Sequence, residues 1–222
     1  ERIRAKYPDV LIQACSSGGG RVDYGAMKYN QEVWTSDNTD ARSRIFIQYG
    51  TNMIYPALVT GSHVSAVPNH QTGNVTPLKF RFDMAMSGRF GMELQPKDLS
   101  GKEKEFAKTA IENYKYIRDI VMEGNLYRII SPYEEKGLYA IMYVDKDKKR
   151  AVVFDYCFEY QGRTHRGQSV KLHGLDPAKR YKVTELNVEK SGFWGNNGVF
   201  SGEYLINEGI NPQLEKMYQS ID

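Results

Sequence analysis

The sequence predicts an α/β half followed by an all-β half. Residues 1–123 read as β/α units, half of an eightfold (β/α)8 barrel, and residues 124–222 as an antiparallel β-sandwich domain. Three observations predict this. In the first half, short apolar runs alternate with segments of helical period, the texture of parallel strands joined by crossover helices. After Gly124, β-type runs follow one another with only turn signals between them, as in a sandwich. The first two strand candidates each end in a polar loop bearing reactive groups, about one strand–loop–helix unit apart. A β/α barrel presents that arrangement at its active face.

Residues 10–15, Val-Leu-Ile-Gln-Ala-Cys, are the first strand candidate, bounded by Pro8-Asp9 and by Ser-Ser-Gly-Gly-Gly-Arg. Residues 33–36 are the second. Asn38-Thr39-Asp40 then opens a helix over 41–49, with Asp40 or Thr39 as its cap. Ala41, Ile45 and Tyr49 fall on one face of it. Residues 56–59 read as a third strand, with Gly61-Ser62-His63-Val64-Ser65 as its loop. Residues 78–87 read as a helix, with Phe82 and Met86 one turn apart, and 91–94 as a fourth strand. Ser100-Gly-Lys-Glu introduces the clearest helix, over 102–122, where Phe106, Ala110, Ile111, Tyr114, Ile117 and Val121 recur with charges between them. The boundary between the halves falls near residues 123–132.

Beyond it, β-type runs cover 126–130, 138–144, 151–158, 169–172, 181–187 and 203–206, with turn signals such as Asp145-Lys-Asp, Gln161-Gly162 and Asp176-Pro177 between them. Tyr139, Ile141 and Tyr143 alternate with Ala140, Met142 and Val144. This strand is apolar on both faces and belongs in the middle of a sheet.

Bulk properties exclude several classes. Hydrophobic residues are 41% and charged residues 26%, ordinary for a globular domain. A net charge of +3, spread along the chain, provides no basic stripe for nucleic acid. No apolar run approaches the roughly 18 residues of a membrane span. Neither nucleic acid nor membrane is expected as a partner. Two cysteines, Cys15 and Cys157, are too few for a disulfide framework. The chain opens Glu-Arg-Ile-Arg-Ala-Lys-Tyr-Pro-Asp, without Met, and reads as the end of a helix entering a turn. We expect it to be cut from a longer protein.

The chemistry-bearing residues lie in the first two loops. Asp37 sits at a strand end beside Trp34 and is placed for acid–base work, whereas Asp40 suits a helix cap. The glycines after Ser16 and Ser17 let backbone N–H groups approach a ligand. The run reads first as a tight turn, next as a site for a neutral ligand such as a sugar, and last as a phosphate cradle, since it lacks the Gly-Lys-Ser/Thr of a P-loop. Cys15 is either a nucleophile or a small buried hydrophobe, and sequence places none of His63, His70, His165 or His173 near it as a base. His63 either points into the site or is structural. Asp145-Lys-Asp147 reads as a hairpin turn. No metal site and no cofactor are expected.

Taken together, Cys-Ser-Ser-Gly-Gly-Gly-Arg (15–21), Trp-Thr-Ser-Asp-Asn-Thr-Asp-Ala (34–41), Ile-Gln-Tyr-Gly (47–50), Gly-Ser-His-Val-Ser (61–65) and Pro-Asn-His-Gln-Thr (68–72) are similar, in order and spacing, to motifs of family 36 glycoside hydrolases, the microbial α-galactosidases. The resemblance covers the whole chain. It implies that residues 1–123 are the C-terminal half of the catalytic barrel and 124–222 the C-terminal β-sandwich. It also implies a retaining α-galactosidase acting on galactose-containing oligosaccharides such as melibiose or raffinose.

By the same resemblance, Asp37 is the acid/base and Cys15, Ser16, Ser17 and Gly18 line the galactose subsite. The family's nucleophile is an Asp in a Lys-Trp-Asp motif on the preceding strand. Neither Trp34 nor Trp194, the two tryptophans of this chain, stands between Lys and Asp. The chain is therefore expected to supply the acid/base without the nucleophile, and to be inactive alone. Three alternatives stay open: a related α-galactosyltransferase, an α-N-acetylgalactosaminidase, or a non-catalytic carbohydrate-binding module using Phe193 and Trp194. Half a barrel leaves two unpaired sheet edges, so a homo-oligomer is expected.

Overall fold

The structure, a computed structural model, describes residues 1–134, 137–159, 169–214 and 217–221. The Gln161-Gly162 turn and His165 lie outside the described residues. The first half forms a parallel sheet of β1 (Gln13–Ala14), β2 (Glu32–Trp34), β3 (Thr60–Ser65) and β4 (Arg89–Glu93), in the order β1-β2-β3-β4. Ala14 pairs with Val33, Trp34 with Gly61 and His63 with Gly91. Parallel pairing requires crossovers, so all four strands finish at the same edge of the sheet.

The crossover elements include α1 (Ala41–Thr51) and α2 (Leu78–Met86), and α3 (Gly101–Glu123) follows β4. Asp40 caps α1, as the sequence suggests: its carboxylate accepts from the Ser43 N–H at 3.2 Å and from the Ser43 hydroxyl at 3.0 Å. Ser100 and Glu103 form a reciprocal capping box at the start of α3.

The third strand differs from expectation. Ala57–Val59 is a 3-10 turn, and the strand is the following segment, Thr60–Ser65, which the sequence suggests is a loop. The Thr60 hydroxyl donates to the Pro56 carbonyl at 3.0 Å and closes the turn. The strand then runs between two partners and is buried almost throughout, despite its polar composition. Its hydroxyls are satisfied internally: Ser62 donates to Gln48 Oε1 at 2.7 Å. Apolar periodicity cannot reveal a strand whose buried side chains are hydrogen-bonded polar groups.

The second half is built on β5 (Asn125–Ile130), β6 (Leu138–Val144) and β7 (Ala151–Cys157), followed by a ribbon of β8 (Arg180–Lys182) with β9 (Val199–Ser201), and by β10 (Gln219–Ile221). The large sheet is antiparallel, in the order β10-β7-β6-β5. Every residue of β6 is buried, as its two-faced apolar pattern requires. Tyr139, Ile141 and Tyr143 join Phe154 and Tyr156 against Ile45, Phe80, Met84, Tyr114 and Ile117 of the helices. Ala140, Met142 and Val144 face Val170, Leu172, Phe193 and Leu205. Each large apolar side chain buried here contributes about 1.5–3 kcal/mol. On the other side of the helices, Phe82, Ala85, Ala107 and Ala110 pack with Val64 of the parallel sheet.

Three further runs depart from the sequence reading. Residues 203–206 belong to a helix, α4 (Gly202–Asn207), because the Ser201 hydroxyl accepts from the Tyr204 N–H at 3.1 Å and caps it. Residues 169–172 make only a bridge between Val170 and Ile210. Within 181–187 the strand extends only through Lys182. No described helix is long and apolar enough to cross a membrane.

Asp155 is a buried carboxyl in the middle of β7, and its Oδ1 has no hydrogen-bond partner among the described residues. Burial pushes its pKa up to about 7. The folded state therefore keeps a proton that the unfolded chain releases near the ordinary Asp value, about 3.9. Stability should fall as pH rises from about 4 to about 7, then level off, with a total loss on the order of 4 kcal/mol at about 1.4 kcal/mol per unit. Asp155→Asn should abolish that slope and melt above wild type at pH 8. Thermal melts of both proteins from pH 4 to 8 check this, and parallel curves would refute it.

Candidate functional site at the C-terminal edge of the parallel sheet

Chain leaving β1 turns at once into a left-handed coil. Ser16, Ser17, Gly18 and Gly19 have φ of 52°, 56°, 69° and 96°. The Gly19 N–H donates to the Cys15 carbonyl at 2.9 Å and the Gly20 N–H to the Ser16 carbonyl at 3.0 Å, closing one turn. Two consecutive serines in this region cost about 1–2 kcal/mol each, and strain of this kind collects at ligand sites. At Gly18 the reason for glycine is a close approach. A Cβ there would lie 2.5 Å from the backbone nitrogen of Asp37. The two loops can touch only because that side chain is missing.

The second loop leaves β2 at a buried Trp34 and passes through Thr35 and Ser36 to Asp37, which is exposed. The Asn38 N–H donates to the Ser36 hydroxyl at 3.1 Å, and the Asp40 N–H to Asn38 Oδ1 at 3.1 Å. The Cys15 thiol lies 3.9 Å from Asp37 Oδ1. Cys15, Ser16, Ser17, Gly18 and Asp37, chosen from sequence as one site, are thus brought together at the strand ends. Cys15 is exposed and so is not the buried hydrophobe of the alternative reading. Asp40 does not join the site: besides capping α1 it accepts from Asn74 Nδ2 at 3.0 Å.

His63 stands within β3 rather than in a loop, with its ring 4.5 Å from that of Trp34. Burial lowers its pKa below the ordinary histidine value, so it is neutral at pH 7. It serves as an aromatic support for Trp34.

Two arginines that sequence reasoning missed tie the strand ends to the helices. Arg44 is almost fully buried, donates to the Thr35 hydroxyl at 2.6 Å and to the Ser36 carbonyl at 2.8 Å, and lies over the Trp34 ring at 4.6 Å. Arg81, also buried, donates to the Ser65 carbonyl at 2.6 Å and to the Thr76 carbonyl at 3.2 Å. Both occupy the fourth position of their helices and reach back to the loop or strand end preceding them. A pair of arginines at matching helix positions was the available signal, but composition assigns arginine to solvent.

The aromatic residues of the second half serve mostly as core. Tyr139, Tyr143, Tyr156 and Phe193 are buried, while Trp194 is 62% exposed and lies edge-on to Phe200, 6.1 Å away.

Residues 1–124 match the family model Melibiase, and residues 138–221 match the model described as Glycosyl hydrolase family 36 C-terminal domain. The chain belongs to the melibiases and, more narrowly, to glycosyl hydrolase family 36. Among similar proteins, alpha-galactosidase AgaA of Geobacillus stearothermophilus is 40% identical over 210 residues, covering 95% of this chain and 27% of the relative. The bifunctional alpha-galactosidase/sucrose kinase AgaSK of Mediterraneibacter gnavus is 45% identical over 221 residues, covering 99% of this chain and 22% of the relative. A crystal structure of an AgaA variant in complex with raffinose matches with a TM-score of 0.88 at 38% identity, over 98% of this chain and 29% of that one. The galactosidase domain of AgaSK matches with a TM-score of 0.86 at 38% identity, over 99% of this chain and 29% of that one. The chain thus spans under a third of the length of these relatives.

Proposed function

We propose that this chain is the acid/base-bearing part of a retaining α-galactosidase that removes terminal α-linked galactose from oligosaccharides such as raffinose or melibiose. In this reading residues 1–123 are the C-terminal half of a (β/α)8 barrel and residues 124–222 an antiparallel sandwich domain. The approach of the Cys15 thiol to Asp37 at 3.9 Å, across the gap that Gly18 leaves open, carries the proposal. It joins a carboxyl group to a polar, strained turn at the sheet edge where β/α folds bind ligands.

Asp37 would act twice. It gives its proton to the glycosidic oxygen as the C1–O bond breaks and a carboxylate elsewhere in the enzyme takes the galactosyl group. It then removes a proton from the water that hydrolyses the resulting ester. A retaining mechanism needs a second carboxyl group about 5–5.5 Å from the first. The resemblance assigns that nucleophile to a strand preceding Cys15, and this chain carries no Lys-Trp-Asp to supply it. Cys15, Ser16, Ser17 and Gly18 would line the galactose, with the left-handed turn presenting backbone groups to its hydroxyls. No cofactor takes part.

The isolated chain should show no turnover of an aryl α-galactoside, while the full-length protein hydrolyses it. Turnover by the isolated chain would overturn the missing nucleophile. The same preparation should self-associate. β1 is a two-residue edge strand, and Ile3, Tyr7, Val10, Leu11 and Tyr24 near it are exposed. Light scattering at high micromolar concentration should register a homo-oligomer, and a strict monomer would contradict it.

A further inference from the structure

The grip on the Asp37 loop comes from one buried cation. Arg44 has 2% of its surface exposed, and among the described residues its hydrogen-bond partners carry no charge to neutralise it. Its Nη1 donates to the Thr35 hydroxyl and its Nη2 to the Ser36 carbonyl, at 2.6 and 2.8 Å. The guanidinium plane covers Trp34, which His63 supports from its own side. Its Nε is buried with no hydrogen-bond partner among the described residues. Burying such a charge is costly, and the neutral partners offset only part of that cost. Core stability alone is a poor reason to keep it, because an apolar side chain of similar volume would fill the same space. Every group it holds lies in Trp34-Thr35-Ser36, the three residues before Asp37.

We propose that Arg44 is the positioning residue of the acid/base: by fixing the Thr35 hydroxyl and the Ser36 carbonyl it sets the direction from which Asp37 meets the departing oxygen. This inference rests on the α-galactosidase reading above. The loop is clamped from both sides. The Gly18 turn presses on the Asp37 backbone nitrogen, and Arg44 holds the peptide oxygen one residue earlier. Neither contact touches substrate, so Arg44 acts through Asp37. Burial brings its pKa down to about 10, with the negative charges of Glu93 and Asp37 opposing the fall. It therefore remains a cation throughout the neutral range and gives a fixed, pH-independent hold.

The test is leaving-group dependence, which separates acid positioning from general damage. In the full-length protein, kcat and KM are measured for Arg44→Met, Arg44→Lys, Thr35→Val and Asp37→Ala. The substrates are a series of aryl α-galactosides from dinitrophenyl to phenyl, together with raffinose. A dinitrophenolate departs without a proton, whereas phenol and a sugar need one. Arg44→Met should lose roughly 10²-fold in kcat/KM on raffinose, as expected for a reacting group displaced by about 1 Å. It should lose little in kcat/KM on the dinitrophenyl substrate, where kcat and KM should fall together because hydrolysis of the galactosyl ester, which also uses Asp37, becomes limiting. Arg44→Lys should recover part of the loss. Thr35→Val, which removes one of the two hydrogen bonds and keeps the shape, should show the same slope more weakly, and it carries the test if Arg44→Met fails to fold.

An equal loss of kcat/KM on every substrate, or no loss on raffinose, would overturn the positioning role. If Asp37→Ala itself gave no leaving-group dependence, or wild type turned over no α-galactoside, the functional reading would fall and this inference with it. A normal Asp37→Ala profile beside flat Arg44 and Thr35 variants would reject the inference alone.

Discussion

Asp37→Ala in the full-length protein should lower kcat for raffinose by roughly 10²–10⁴-fold, the range that general acid–base catalysis contributes. Asp37 is exposed, and among the described residues its carboxylate has only the Cys15 thiol at 3.9 Å as a hydrogen-bond contact. The stability cost should therefore stay within about 0.5 kcal/mol, as for other surface substitutions. The variant would be folded and slow. On an activated aryl galactoside the first step needs no acid, so the galactosyl ester should accumulate and its hydrolysis become limiting. Azide, which needs no deprotonation, should then restore turnover and yield α-galactosyl azide by attack on the face that water would use. Rates on raffinose within tenfold of wild type would remove Asp37 from the chemistry. The measurement separates function from folding because the side chain supports little structure.

Asp83→Ala should have the opposite signature, a large loss of stability. Asp83 lies in α2 with no exposed surface. Its carboxylate accepts from Lys79 at 2.6 Å, from Asn187 Nδ2 at 2.9 Å and from the Ser220 hydroxyl at 2.5 Å. The Tyr156 hydroxyl donates to its backbone carbonyl at 2.9 Å. One residue thus joins a crossover helix of the first half to β7, β10 and the 187 turn of the second. Removing the centre of such a buried network strands several polar groups and should cost about 3–5 kcal/mol. Urea titrations of wild type, Asp83→Ala and Asp83→Asn should show the midpoint falling most for alanine. A loss under about 1 kcal/mol would mean that the halves are held together by apolar packing alone.

Some of this was legible in the sequence because burial and period coincide. The helix over 102–122 and the two-faced strand at 138–144 are found where apolar spacing puts them, at Gly101–Glu123 and Leu138–Val144. Asp40 caps its helix through contacts within its own first turn, which local sequence specifies. The strand at Thr60–Ser65 was not legible. Its buried hydroxyls donate to Gln48 and to backbone carbonyls, and a pattern of apolar residues is blind to them. Residues 203–206 look like a strand by composition, yet a serine cap one turn earlier makes them helical. Within the site, the residue types in the two loops pointed to Cys15, Ser16, Ser17, Gly18 and Asp37. Arg44 was missed because its partners sit on the preceding loop and strand and its burial is a fact of packing.

The sequence by itself determined that two reactive loops follow two strands about one β/α unit apart, because strand and helix periods are local properties of the chain. Only the tertiary structure decided that Gly18 presses on the Asp37 backbone, that a buried arginine holds the residue before it, and that Asp83 joins the two halves. Those depend on distances between segments remote along the chain, which parallel pairing and close packing impose and no local pattern encodes.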